Sequence, residues 1–183
     1  SKDATESVNW KEISEQAKAL EYLQRSLAIN EEDNQRHGMA SNFGNIGNVY
    51  KTLLDNAKAL EYYQKALELY QELGRKDGVA VNLGNIGNVY KNLANYPKAL
   101  EYLQKSLHMN EELGSKRVIA GTLHNIGLVY QSLSENTVAL EYYQKSMALN
   151  EELNNKSWLA STIGNIGNVY RYLGDYSKAL EYL

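Results

Sequence analysis

The sequence predicts an all-α fold, a solenoid of stacked antiparallel helix pairs, on three observations. The run Gly44-Asn45-Ile46-Gly47-Asn48-Val49-Tyr50 returns at 84–90 and 164–170, with a close copy, His124-Asn125-Ile126-Gly127-Leu128-Val129-Tyr130, between them. A second motif, Ala-Leu-Glu-Tyr, begins at Ala19, Ala59, Ala99, Ala139 and Ala179, so both motifs keep a step of 40 residues. Self-similarity at one fixed period marks a protein built of stacked repeats. The chain of 183 residues also holds a single proline, which suits long helices with few interruptions.

The unit 40–79 shows the plan. From Met39 to about Leu53 the apolar residues fall at Phe43, Ile46, Tyr50 and Leu53, with Gly47 on the same face, the spacing of one side of a helix. Asp55 and Asn56 are start signals for a second helix, expected from about Asn56 to Leu73 with Ala59, Leu60, Tyr63, Ala66 and Leu67 inward. Glu61/Lys65, Glu101/Lys105 and Glu141/Lys145 are acid-first pairs four apart, read as a solvated face. Gly74 and Gly114 end their helices as left-handed caps, and Asn154 takes that place one unit later. Units 80–119 and 120–159 repeat the plan, and Pro97 falls in the first turn of a second helix, where a missing N–H costs little.

The ends differ from the middle. Residues 1–39 contain a good second helix, Gln16 to about Asp33, after a degenerate first half with Ser7 in place of glycine and Trp10 in place of tyrosine. The unit 160–183 stops midway through its second helix. A repeat cannot bury its apolar face alone, so the chain is expected to be part of a longer array, or to have its ends covered by another molecule. The whole of 1–183 is thus read as a single solenoid domain.

Composition narrows the function classes. Nineteen basic residues against 22 acidic ones give a formal net charge of −3, which supplies no general attraction for nucleic acid or an anionic membrane. There are no cysteines, no apolar run of membrane-spanning length and no apolar signal core in the first residues, so a cytoplasmic location is expected. No nucleophile elbow, zinc-protease motif, P-loop or dinucleotide fingerprint is present, so neither catalysis nor a cofactor is expected. Gly44-x-x-Gly47 lacks the Lys-Ser/Thr of a phosphate loop and the strand before it. Close packing of helices explains such glycines better, since each costs about 1 kcal/mol against alanine inside a helix. The second helix of the same repeat is the expected neighbour at Gly47, Gly87, Gly127 and Gly167. The tyrosines, among them Tyr50, Tyr63, Tyr90 and Tyr130, are read as core positions.

The units resemble the tetratricopeptide repeat, whose pattern is aromatic-x2-Leu-Gly-x2-Tyr, then Ala-x3-Phe, then Pro. Here it reads Phe43-x2-Ile46-Gly47-x2-Tyr50, then Ala59-x3-Tyr63. Leu83, Leu123 and Ile163 take the first aromatic place, Leu103 and Leu183 the Phe place, and Gln71 the proline. The variant is similar to the LGN/Pins cell-polarity adaptors, to kinesin light chains and to bacterial modules attached to signalling enzymes. The resemblance implies a right-handed superhelix whose first helices line a concave groove that binds a peptide or helix of a partner protein. It also implies that asparagines at the matching places contact ligand backbone.

The residues point to the same face. At 100° per residue, Ser41, Asn45, Asn48 and Thr52 lie roughly opposite the apolar side of their helix. Repetition makes a ladder of Asn45, Asn48, Asn85, Asn88, Asn125, Asn165 and Asn168. A carboxamide both donates and accepts, so such a row suits a peptide backbone. An alternative reading has these residues bond a neighbouring helix. In the third unit His124 replaces the glycine and Leu128 the second asparagine, which would place an imidazole and an apolar patch in the groove wall to read a ligand side chain. No second ligand lies at helical spacing from His124, so a metal is not expected there. Lys51, Lys91 and Arg171 share one place at the groove flank and favour an acidic ligand. A chaperone C-terminal carboxylate, which the resemblance would suggest, is disfavoured because Ser41, Gly44, Val81, Gly84, Gly121 and Ser161 stand where its basic clamp belongs. The second function weighed is structural: a module that self-associates end to end through its open ends.

Overall fold

The computed structural model describes residues 2–182, with side chains described from residue 11 onward. The described residues form nine helices: α1 (Lys2–Glu32), α2 (Arg36–Thr52), α3 (Asn56–Glu72), α4 (Lys76–Asn92), α5 (Tyr96–Glu112), α6 (Lys116–Ser132), α7 (Asn136–Glu152), α8 (Lys156–Tyr172) and α9 (Tyr176–Tyr182). The chain divides into two compact units, Ser1–Asn82 and Leu83–Leu183, with the boundary inside α4. In the first unit α2 packs on α1 and α3. In the second, α6 packs on α5 and α7, α8 on α7 and α9, and α6 also touches α8 directly. Leu183, read at the Phe place of the last unit, lies outside the described residues, as do the side chains of Ser7 and Trp10.

The first expectation to change concerns α1. It runs unbroken from Lys2 to Glu32, so residues 2–15 form no separate helix folded back on the next. The sequence supplies a reason. Glu6 and Asn9 stand at the repeat places that hold the buried Ile46 and Val49 one unit later, so two apolar places that would drive the fold-back are polar here.

The turns follow one pattern. After α2, the Asp55 N–H bonds to the Tyr50 carbonyl at 2.9 Å and the Leu54 N–H to the Lys51 carbonyl at 3.1 Å, the pair of bonds that closes a Schellman turn. Asp55 then caps α3, its carboxylate accepting from the Lys58 N–H at 3.1 Å. Asn95 caps α5 in the same way, and Pro97 sits in the first turn of that helix, as the sequence predicts. The left-handed caps at Gly74 (φ 65°), Gly114 (65°) and Asn154 (51°) are also where the sequence places them. Leu54 (φ 60°), Ala94 (55°) and Ser134 (62°) adopt the same conformation, which the sequence does not signal. A Cβ there costs roughly 1–2 kcal/mol, and the packing of the two flanking helices holds the turn regardless.

The core sits between the two helices of each repeat. Ala59, Tyr63, Ala66 and Ile46 are fully buried and Leu67 nearly so. Val49, Val89, Val129 and Val169 belong to this core as well, though the sequence reading passed over them. Tyr50, Tyr90 and Tyr130 do not. They are half-buried at its edge, each ring stacked on a tyrosine of the next helix: Tyr50 on Tyr62 (5.5 Å), Tyr90 on Tyr102 (5.6 Å) and Tyr130 on Tyr142 (5.4 Å). Lys58 lies over Tyr50 at 4.9 Å and Lys65 over Tyr62 at 4.9 Å, so the stack is closed by a cation on each side. Lys65 bonds Glu61 at 2.7 Å and Lys105 bonds Glu101 at 2.6 Å, the solvated ion pairs that the spacing predicts.

The glycines show why they recur. A Cβ on Gly47 would stand 2.7 Å from the Tyr63 ring, on Gly87 2.8 Å from Leu103, and on Gly127 2.7 Å from the Tyr143 ring. Each of these neighbours lies on the second helix of the same repeat, so close helix approach offsets the poor helix propensity.

Candidate functional site: the outward face of the first helices

The asparagines of the ladder occupy three kinds of place. Asn45 and Asn48 are exposed on α2, and Asn85, Asn88, Asn125, Asn165 and Asn168 are half-buried on α4, α6 and α8. Asn48 is tied inward: its side-chain oxygen accepts the Tyr63 hydroxyl at 2.7 Å. Asn88 holds the same repeat place, but Leu103 stands at the repeat place of the tyrosine, and the Asn88 side-chain oxygen is buried with no partner. In the third repeat Leu128 cannot accept at all, and Gln131, one turn later, takes the Tyr143 hydroxyl at 2.7 Å. Burial pushes both phenols above their usual range, so they stay protonated donors. The second place on the ladder therefore answers to the tyrosine beneath it.

The first place does not. The Asn125 side-chain oxygen accepts from the Lys91 ammonium at 3.0 Å, a bond between neighbouring first helices. Asn165 approaches His124 instead, with its amide nitrogen 3.3 Å from Nε2. Of the three flank cations, Lys91 is thus engaged across helices. Lys51 is half-buried, its pKa lowered by loss of water, and Arg171 is exposed with its guanidinium 5.3 Å above Tyr172.

His124 is the residue whose surroundings differ most from expectation. It is not an open imidazole in the groove wall, being only 4% exposed. Trp158 of α8 covers it edge-on at 5.3 Å, and it leans on Tyr143 at 5.4 Å. Nδ1 lies 2.9 Å from the Thr162 hydroxyl oxygen. That hydroxyl donates its one hydrogen to the Trp158 carbonyl at 2.8 Å, so it accepts from an Nδ1–H. Nε2 is then a lone pair that accepts from Asn165. Burial and the Lys91 charge lower the imidazole pKa to about 4, so the ring is neutral at physiological pH. A Trp at 158, where earlier units carry Gly38, Gly78 and Val118, is the signal that could have foretold this lid. Gly121 lies beside it, where a Cβ would stand 3.7 Å from the indole, an ordinary contact.

His124, Asn125 and Leu128 of α6 face Ser157, Trp158 and Ser161 of α8 around an open hollow of about 330 Å³. One further repeat place is buried and polar throughout: Asn42, Asn82, Thr122 and Thr162, recurring every 40 residues. Asn82 and Thr122 bond the carbonyl four residues back, and Asn42 donates to Ser26 at 3.1 Å. Among the described residues no group of three or more His, Asp or Glu is placed to hold a metal, and no helix is long and apolar enough to cross a membrane.

Paired helices repeating every 40 residues, with a polar outward face, define a helical-repeat scaffold of the protein-interaction class. The comparisons agree. The family model for the tetratricopeptide repeat matches residues 38–112 and 118–183, and the chain belongs to that family, which is in general non-catalytic. Among solved structures the chain is similar to BtubC (BKLC) from P. vanneervenii, with 18% identity over 94% of this chain and 87% of that one, at a TM-score of 0.74. It is similar to a putative kinesin light chain of Podosopora anserina with nearly identical repeats, at 12% identity, 95% and 86% coverage, and a TM-score of 0.73. A Rap protein complexed with competence and sporulation factor gives a TM-score of 0.82 at 20% identity; it is covered over 47% of its length, so the chain spans about half of it, using 92% of its own residues. At such identities the likeness is one of fold. A comparison with curated proteins gives no match.

Proposed function

We propose that the chain binds an extended segment of a partner protein along the outward face of the first helices of its second unit. The observation that carries the reading is the junction of α6 and α8, where Asn125, Leu128, Ser161 and Trp158 surround one open hollow, with Leu128 packed at its base against the Tyr143 core. Carboxamides and hydroxyls beside an apolar floor match a peptide backbone and a side chain. Asn85 on α4 presents the same residue type at the same repeat place. The Rap protein solved with competence and sporulation factor supports the reading by likeness of fold. Arg171 lends a modest preference for acidic segments.

The test is selection from a random peptide library on the purified chain and on an Asn85/Asn125/Asn165→Ala variant whose helicity matches the parent. Asn48 and Asn88 are unsuitable, because one holds Tyr63 and the other is buried. Loss of enrichment on the folded variant supports the groove. Identical selection by both chains refutes it, and self-association measured by dilution then becomes the reading to pursue.

A further inference from the structure

Four departures from the repeat consensus converge on one spot. Gly121, His124, Leu128 and Trp158 stand where the other units carry Ser or Val, Gly, Asn, and Gly or Val. Copies that drift independently have no reason to change in contact with one another, and these do. Gly121 lies within van der Waals reach of the indole, His124 props it edge-on, Thr162 fixes the imidazole, and Leu128 and Trp158 both line the hollow. Trp158 remains 41% exposed although its inner edge is packed. A large aromatic held rigid from behind and open in front is the kind of anchor that dominates interface energetics.

Hydrogen bonds fix what Asn125, in the wall of the hollow, and Asn165, beside it on α8, can offer. Lys91 occupies the oxygen of Asn125, so the amide NH2 is what Asn125 has to offer, and it lines the hollow. His124 occupies the NH2 of Asn165, which keeps its oxygen as an acceptor. Two neighbouring helices thus carry one donor and one acceptor, the two functions of a peptide unit. No acidic or basic side chain lines the hollow, so a charged group entering it would lose water without a partner.

Resting on the proposed groove, we propose that the α6–α8 hollow is its specificity subsite. It takes one aliphatic side chain of an extended peptide against Leu128 and Trp158, while Asn125 donates to the peptide backbone and Asn165 accepts from it. The other first helix of the unit, α4, holds backbone without selecting a side chain.

The test uses the full chain, a random peptide library, and two variants that restore residues found elsewhere in the repeats. Leu128→Asn recreates the asparagine of the other units, with the Tyr143 hydroxyl as its natural partner, and Trp158→Val copies Val118. The parent should enrich peptides with Leu, Ile or Met fixed at one position. Each variant should still select peptides but lose that fixed position, and its affinity for parent-selected peptides should fall about 10- to 30-fold, as expected for one aliphatic side chain left in water. In a Trp10→Phe background, where Trp158 is the single tryptophan, bound peptide should shift its emission to the blue. Peptides that enrich without an apolar position, or bind without changing Trp158 emission, overturn the subsite and leave the groove standing. No enrichment on any of the three chains overturns the groove and the subsite together.

Discussion

Leu103→Tyr should stabilise the protein, and the reason can be worked from its own repeats. Tyr63 and Tyr143 are fully buried, and each hydroxyl donates at 2.7 Å to an acceptor on the first helix of its repeat. In the second repeat the acceptor remains and the donor is gone: the side-chain oxygen of Asn88 is buried without a partner, and Leu103 holds the tyrosine's place in the repeat. The surroundings already suit a ring. Leu103 packs with Ile126 and Val129 as Tyr143 packs with Ile166 and Val169. Gly87 gives the clearance that Gly47 and Gly127 give their tyrosines. A buried acceptor left unsatisfied costs about 1–3 kcal/mol. Allowing for the entropy of fixing a larger side chain, we expect a net gain of about 1 kcal/mol, or about 2–4 °C in Tm for a chain this long. Urea and thermal unfolding followed by circular dichroism measure it, with Leu103→Phe as the control that adds the ring without the hydroxyl. Tyrosine should exceed phenylalanine by about 1 kcal/mol. Equal stability of the two variants, or a loss in both, would refute the reasoning.

Two further predictions concern single residues. Gly164→Ala meets nothing within 4 Å and should gain up to about 1 kcal/mol of helix propensity, whereas Gly127→Ala would press a methyl to 2.7 Å from the buried Tyr143 ring and should lose about 1–2 kcal/mol net; the same sign for both in urea unfolding would contradict the packing account. His124 makes stability depend on pH: its folded pKa is lowered to about 4 against about 6.5 when free, so the unfolded chain takes the proton first. Its contribution is complete above about pH 6.5 and falls as pH drops toward 4, by roughly 2–3 kcal/mol. Comparing the parent with His124→Gly isolates this slope, because exposed carboxylates such as Asp77 and Glu101, held low by hydrogen bonds from Arg75 and Lys105, are common to both chains. Parallel curves for the two chains would show that the imidazole titrates normally.

The candidate site was only half legible. The direction of Asn45, Asn85, Asn125 and Asn165 follows from helical spacing, because one period fixes which side of each helix meets the core. The duties of Asn48 and Asn88 did not, since both depend on whether residue 63 or 103 carries a hydroxyl on another helix. His124 shows the limit most clearly: its helix turns it outward, and α8, 34 residues later, lays Trp158 over it.

What the sequence determined by itself was the repeat, the helix pairs, the caps at Asp55, Asn95, Gly74, Gly114 and Asn154, and the inward set around Ile46 and Tyr63. Each follows from local chemistry or from a period visible along the chain. Only the tertiary structure decided that α1 runs unbroken, that Tyr50 stacks at the core edge, that Leu54 tolerates a left-handed turn, and that three deviant residues, His124, Leu128 and Trp158, meet at one hollow. Those outcomes depend on how closely neighbouring helices approach and at what rotation. That geometry is set by the packing of whole faces, and no single stretch of sequence encodes it.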